Sequence, residues 1–167
     1  MVLTPSKMVP LGTKAPDFTL PTVSEGRVSL EDFEESKVLV VAFICNHCPY
    51  VKHIIPGFVD LVNDYAGEDV NFLAINSNDA EEYPEDSFGK MKEYAKEGDY
   101  PFVYAFDESQ EVAKAYQAVC TPDFFVYNED RELVYRGQMD GSRPGNKIPV
   151  TGEDLRKVVD SILDDQP

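Results

Sequence analysis

The sequence predicts an α/β protein with a central mixed β-sheet flanked by helices and a β-hairpin extension on its N-terminal side. Three observations predict this. Residues 38–44, Val-Leu-Val-Val-Ala-Phe-Ile, form an unbroken apolar run. Such a run suits a strand buried on both faces, the central kind found in parallel sheets. After Pro49 the period changes, and Tyr50, Val51, Ile54, Ile55, Phe58, Val59, Leu61, Val62 and Tyr65 recur at helical spacing. Further on, residues 124–127 and 133–136 flank the polar turn Asn128-Glu129-Asp130-Arg131, an antiparallel pair, and an amphipathic helix follows.

The remaining elements fit around these. Residues 18–23 and 27–30 flank Ser24-Glu25-Gly26, a turn signal that makes the pair a small hairpin. Residues 29–34 read as a short helical turn before the buried strand. The helix over 49–66 carries Pro56-Gly57 in its middle, where the proline removes one helical hydrogen bond and predicts a kink. Residues 69–77 form a second buried strand and 78–84 an acidic loop. Residues 87–97 take helical spacing, 102–106 are extended, and 112–116 make a short helix. Residues 141–150 are a turn-rich loop. Thr151 is placed to cap a last helix, with Asp154 three residues on and Leu155, Val158, Val159 and Ile162 on one face. The chain reads as a single domain over residues 1–167, without internal repeats.

Charge narrows the function classes. The formal net charge is −16, from 31 acidic and 15 basic residues. That balance argues against nucleic acid or an anionic membrane as a partner, because both are polyanions. Solubility alone explains the acidity, and a salt-rich habitat is the sharper alternative. No stretch approaches the roughly 20 apolar residues of a transmembrane helix, and the first ten residues lack a signal-peptide pattern. The expected location is the cytoplasm. Three cysteines are too few for a secreted disulfide framework.

Two of those cysteines lie where the buried strand hands over to the helix, in Cys45-Asn46-His47-Cys48-Pro49. Unpaired amides and the helix dipole stabilise an anion at such a place, and the thiolate is the reactive form of cysteine. The pair therefore reads as a redox dithiol. Cys45, first in the motif, is expected to be the exposed nucleophile with a lowered pKa, and Cys48 the resolving thiol that closes the disulfide. His47 stabilises a Cys45 thiolate by hydrogen bond or charge, which would make the disulfide a better oxidant. His53 reads as a polar-face residue.

Four segments in order extend this reading: Ala15-Pro16-Asp17-Phe18-Thr19-Leu20-Pro21, the strand with its Cys-Asn-His-Cys-Pro end, Cys120-Thr121-Pro122-Asp123-Phe124-Phe125-Val126, and Tyr135-Arg136-Gly137-Gln138-Met139-Asp140. On these the chain resembles thioredoxin-like proteins of the alkyl hydroperoxide reductase/thiol-specific antioxidant (redoxin) branch. The resemblance implies a thioredoxin-like fold and thiol–disulfide oxidoreductase activity. It implies that Thr121-Pro122 is a cis-proline loop beside the dithiol that offers backbone to an extended substrate. It also places Cys120 near the dithiol, as a third redox residue or a small buried hydrophobe. The expected partners are protein or small-molecule thiols and disulfides and a thiol electron donor, with no cofactor and no resident metal.

Two departures stand out. Thioredoxins carry a buried acidic residue in the strand before the motif, and residues 38–44 contain none. The tryptophan that usually precedes the motif is Ile44. Proton transfer would then use His47, water or a distant carboxylate such as Asp123. Two other readings stay open. In a peroxiredoxin-like peroxidase, Cys48-Pro49 would occupy the reactive position, Cys45 would replace the usual threonine, and Arg136 would supply a cation. In a metal-binding or non-catalytic interaction module, Cys45, Cys48 and His47 or His53 would supply up to three ligands, where a closed zinc site takes four.

Overall fold

In the computed structural model, which describes residues 10–24, 26–118 and 121–164, the apolar run becomes the middle of a five-stranded sheet. The strands are β1 (Thr19–Pro21), β2 (Arg27–Ser29), β3 (Val38–Phe43), β4 (Val70–Asn76), β5 (Val103–Phe106), β6 (Asp123–Tyr127) and β7 (Leu133–Gly137). The helices are α1 (Pro49–Asp64), α2 (Phe88–Glu97), α3 (Glu111–Tyr116) and α4 (Glu153–Leu163). The sheet order is β5-β4-β3-β6-β7. β3 runs parallel to β4 and antiparallel to β6, so the sheet is mixed. β1 and β2 pair as the separate N-terminal hairpin, and a 3-10 turn at Leu30–Phe33 leads into β3.

Alternation along β3 divides the interior into two layers. Val38, Val40 and Ala42 face α1 and α4, meeting Val51, Ile54, Phe58, Leu61, Leu155 and Val159. Leu39, Val41 and Phe43 face the hairpin and α3, meeting Phe18, Leu20, Val28, Val112 and Tyr116. All six β3 residues are buried, as a strand covered on both faces demands. Among the described residues, no helix is long and apolar enough to cross a membrane.

Pro56 lies inside α1, and Gly57 beside it has a packing reason. A Cβ on Gly57 would collide with Val150 Cγ1, so the absent side chain lets the loop before α4 lie against the helix. His53 Nε2 meets Ser142 Oγ at 2.6 Å and secures the same loop.

The start of α4 differs from expectation. Gly152, at φ 73°, is the N-cap rather than Thr151. Thr151 Oγ1 still accepts the Glu153 amide at 3.3 Å. The stronger cap comes from far back in the chain, where the buried Asp140 carboxylate accepts the amides of Ser142, Thr151 and Gly152 at 2.9, 2.9 and 2.7 Å. A charged acceptor drawing amides from a helix start satisfies orphan donors and suits the dipole.

Candidate active site

β3 delivers the dithiol. The strand ends at Phe43, the Ile44 amide still bonds Ile75 O at 3.0 Å, and the chain then leaves the sheet. Cys48 is the N-cap of α1, with Pro49 in its first turn. There the missing proline N–H costs nothing, because the first-turn amides have no helical partner. β6 delivers the opposite wall. Its antiparallel register sets Asp123 beside Phe43, so Thr121 and Pro122 fall next to the cysteines. The Thr121–Pro122 peptide bond is cis. Thr121 Oγ1 lies 3.6 Å from Cys45 Sγ, and Cys48 Sγ lies 3.7 Å from Thr121 O. Cys120 lies outside the described residues.

Cys45 and Cys48 are both free thiols and both buried, at 1 % and 2 % exposure. Cys45 donates a hydrogen bond to Cys48. That bond pulls Cys48 down to about 5, against the opposing effect of burial, with the amides of Val51 and Tyr50 helping to hold the anion. The same bond pushes Cys45 up, with burial and the Asp86 carboxylate adding to it. The first proton lost therefore belongs to the pair, and its charge rests at the helix end. Cys45 is thus neither exposed nor lowered, contrary to the sequence expectation. The loop folds inward because Asn46 is fastened on three sides. Its backbone amide donates to Asp86 Oδ1 at 2.5 Å, its side-chain amide donates to Glu85 O at 2.8 Å, and its Oδ1 accepts Tyr104 O–H at 2.8 Å.

Asp86 is the residue that sequence reasoning missed. It sits just before the Ser87 cap of α2 and is fully buried. Its Oδ1 also accepts the His47 amide at 3.1 Å. Its Oδ2 pairs with His47 Nδ1 and accepts Asn78 Nδ2 at 2.9 Å. The His47 ring stacks on Tyr83, with centroids 4.6 Å apart. The sequence shows Asp86 only as one of several acids between β4 and α2, and no spacing singles it out.

The other nominated side chains lie elsewhere. Asp123 is fully buried and ion-paired to Arg136 at 2.7 Å. Arg136 also donates to Gln117 O at 2.8 Å and lies 4.6 Å over the Phe125 ring. The pair joins β6 to β7, and this commitment fits neither the proton acceptor expected of Asp123 nor the site cation expected of Arg136. His53 serves the α1–loop contact described above and adds nothing to the dithiol.

Ligand atoms of Cys45, His47 and Asp86 all lie within 4.8 Å of one another, a soft, borderline and hard donor grouping that a divalent ion of the zinc class could address. Asp86 already receives four hydrogen bonds there, so its oxygens serve the loop first.

The comparisons fit this geometry. The model of the AhpC/TSA family matches residues 11–136. The chain belongs to the AhpC/TSA family. This family member is 53% identical to an uncharacterized conserved protein from Geobacillus kaustophilus, whose crystal structure matches 99% of this chain and 90% of that chain with a TM-score of 0.95. A hypothetical protein from Sinorhizobium meliloti 1021 is 46% identical, with a TM-score of 0.95 over 96% of this chain and 88% of that one. Thiol-disulfide oxidoreductase ResA from Bacillus thuringiensis subsp. konkukian (strain 97-27) is 21% identical over 131 residues, 78% of this chain and 71% of that protein.

Proposed function

We propose that this protein is a thiol–disulfide oxidoreductase that exchanges electrons with protein or small-molecule disulfides through Cys45 and Cys48. The observation that carries the reading is the pair of free thiols, hydrogen-bonded to each other at the start of α1 and touching Thr121 of the cis-proline loop. The function in the name of the Bacillus relative supports it.

Cys45 attacks one sulfur of the substrate disulfide, and its proton passes to Cys48 as the new S–S bond forms. The first substrate sulfur leaves as a thiolate. Cys48 then attacks Cys45 Sγ and gives its proton to the second departing sulfur, leaving a Cys45–Cys48 disulfide. Two electrons have moved from the dithiol to the substrate, and a thiol donor returns them. Thr121 and Pro122 line the approach and present backbone to an extended substrate. His47 is the ring nearest the exchange, partly open to solvent at 19% side-chain exposure.

Turnover of insulin or a small disulfide with a thiol donor tests the reading. Cys45→Ser is expected to abolish it, and wild-type turnover in that variant would refute it. The helix-held Cys48 sulfur favours one second reading, a thiol peroxidase. In that case hydrogen peroxide would be consumed with sulfenic acid at Cys48. Peroxide loss no faster than in the double Cys→Ser protein would remove it.

A further inference from the structure

The sequence reading gave His47 the task of favouring the thiolate, and so of making this dithiol oxidising. The structure sets a carboxylate against that histidine. Asp86 has no solvent exposure, and an oxygen of it lies within 4.8 Å of Cys45 Sγ. Four donors converge on its two oxygens, the arrangement of an ionised, acceptor-only carboxylate. Three of those donors are neutral amides, from Asn46, His47 and Asn78. The fourth, His47 Nδ1–H, adds a positive charge only when the ring also carries a proton at Nε2. With a neutral ring the cluster beside Cys45 keeps a net negative charge. A nearby like charge disfavours a thiolate, and burial leaves that repulsion poorly screened. A disulfide carries no charge and is not penalised.

We propose that Asp86 is the residue that sets the redox poise of the dithiol, holding it toward the reducing side against His47 and the helix end. The inference rests on the oxidoreductase reading and adds a direction to it: the protein acts as a reductant of disulfides. Asp86 is a positioning and electrostatic residue, since it reaches the sulfur through charge and through the loop it fastens. The same two backbone bonds fix where Asn46 and His47 sit, so loop geometry and charge are set by one side chain.

Equilibration with glutathione buffers, counting thiols, tests this in the wild type, Asp86→Asn and Asp86→Glu. Asp86→Asn removes the charge and is expected to shift the equilibrium toward the dithiol by about tenfold or more, 29.6 mV toward the oxidising side. Asp86→Glu keeps the charge and is expected to stay near wild type. A change of less than twofold in Asp86→Asn, or equal shifts in both variants, would overturn the proposal. A second measurement does not depend on the Asp86 variants folding. In Cys48→Ser, thiolate absorbance should place Cys45 above the ordinary cysteine value of about 8.5, and a value at or below it overturns the proposal. Absence of any two-thiol transition in the wild type would instead remove the oxidoreductase reading, while the Cys45 titration would still report on Asp86.

Discussion

Asp123 and Arg136 form the protein's most deeply buried ion pair among the described residues, with side-chain exposures of 0% and 1% at 2.7 Å. Asp123→Asn would keep the shape of the site and remove the anion. Arg136 would then hold a buried charge on little more than the Gln117 carbonyl and the face of Phe125. Two unit charges about 4 Å apart interact by about 4 kcal/mol at the effective dielectric of roughly 20 that suits proteins. Breaking one side of a buried pair typically costs about 3–5 kcal/mol. The expected loss is therefore about 3–5 kcal/mol, and at about 2–4 °C per kcal/mol for a chain of this size the melting temperature falls by about 6–20 °C. Reversible urea unfolding followed by circular dichroism measures the loss directly. Replacing both residues, Asp123→Leu with Arg136→Leu, should restore at least half of it, because the lone charge has gone. A loss below about 1 kcal/mol in Asp123→Asn, or a double variant as unstable as the sum of the two single ones, would refute the reasoning.

Two further outcomes follow from packing and from the thiol pair. Gly57→Ala places a methyl group against Val150 Cγ1, which should cost about 1–3 kcal/mol by overpacking and be visible as a lower calorimetric midpoint. Cys48 is lowered to about 5 in the folded, reduced protein, chiefly by the hydrogen bond from Cys45. A depressed value contributes stability that is present above the unfolded cysteine value and lost as pH falls through the folded one. The stability of the reduced form, relative to the disulfide form, should therefore rise as pH is taken from 5 toward 8, in paired thermal melts. A flat or falling difference would contradict the assignment.

The parts of this protein that are local in the sequence were legible there. β3, the Cys-Asn-His-Cys turn and the start of α1 occupy one continuous stretch, and a change of hydrophobic period marks each boundary. The N-terminal hairpin, the β6–β7 pair and the cis-proline loop were equally plain, the last through family resemblance rather than composition. What escaped depends on where distant acids land. Asp86 stands in a run of acids, Asp79, Glu81, Glu82 and Glu85 among them, that reads as a solvated loop. Only the folded course of the chain after β4 brings one of them, and not its neighbours, beneath the cysteine loop. Asp140 caps α4 from across a long loop, so the cap lay beyond any window that began at Thr151. Asp123 was legible as a carboxylate near the site but not as Arg136's partner, because a cross-strand pair is fixed by sheet register.

The most direct test of the central claim is to trap the exchange. Cys48→Ser protein, reduced and mixed with a disulfide peptide, is digested without reductant and mapped by mass spectrometry. The account predicts a stable mixed disulfide between the peptide and Cys45, released by added thiol, and none in the Cys45→Ser control. A Cys48→Ser protein that captures no peptide, or captures it only through Cys120, would contradict an attacking role for Cys45 and the dithiol mechanism built on it.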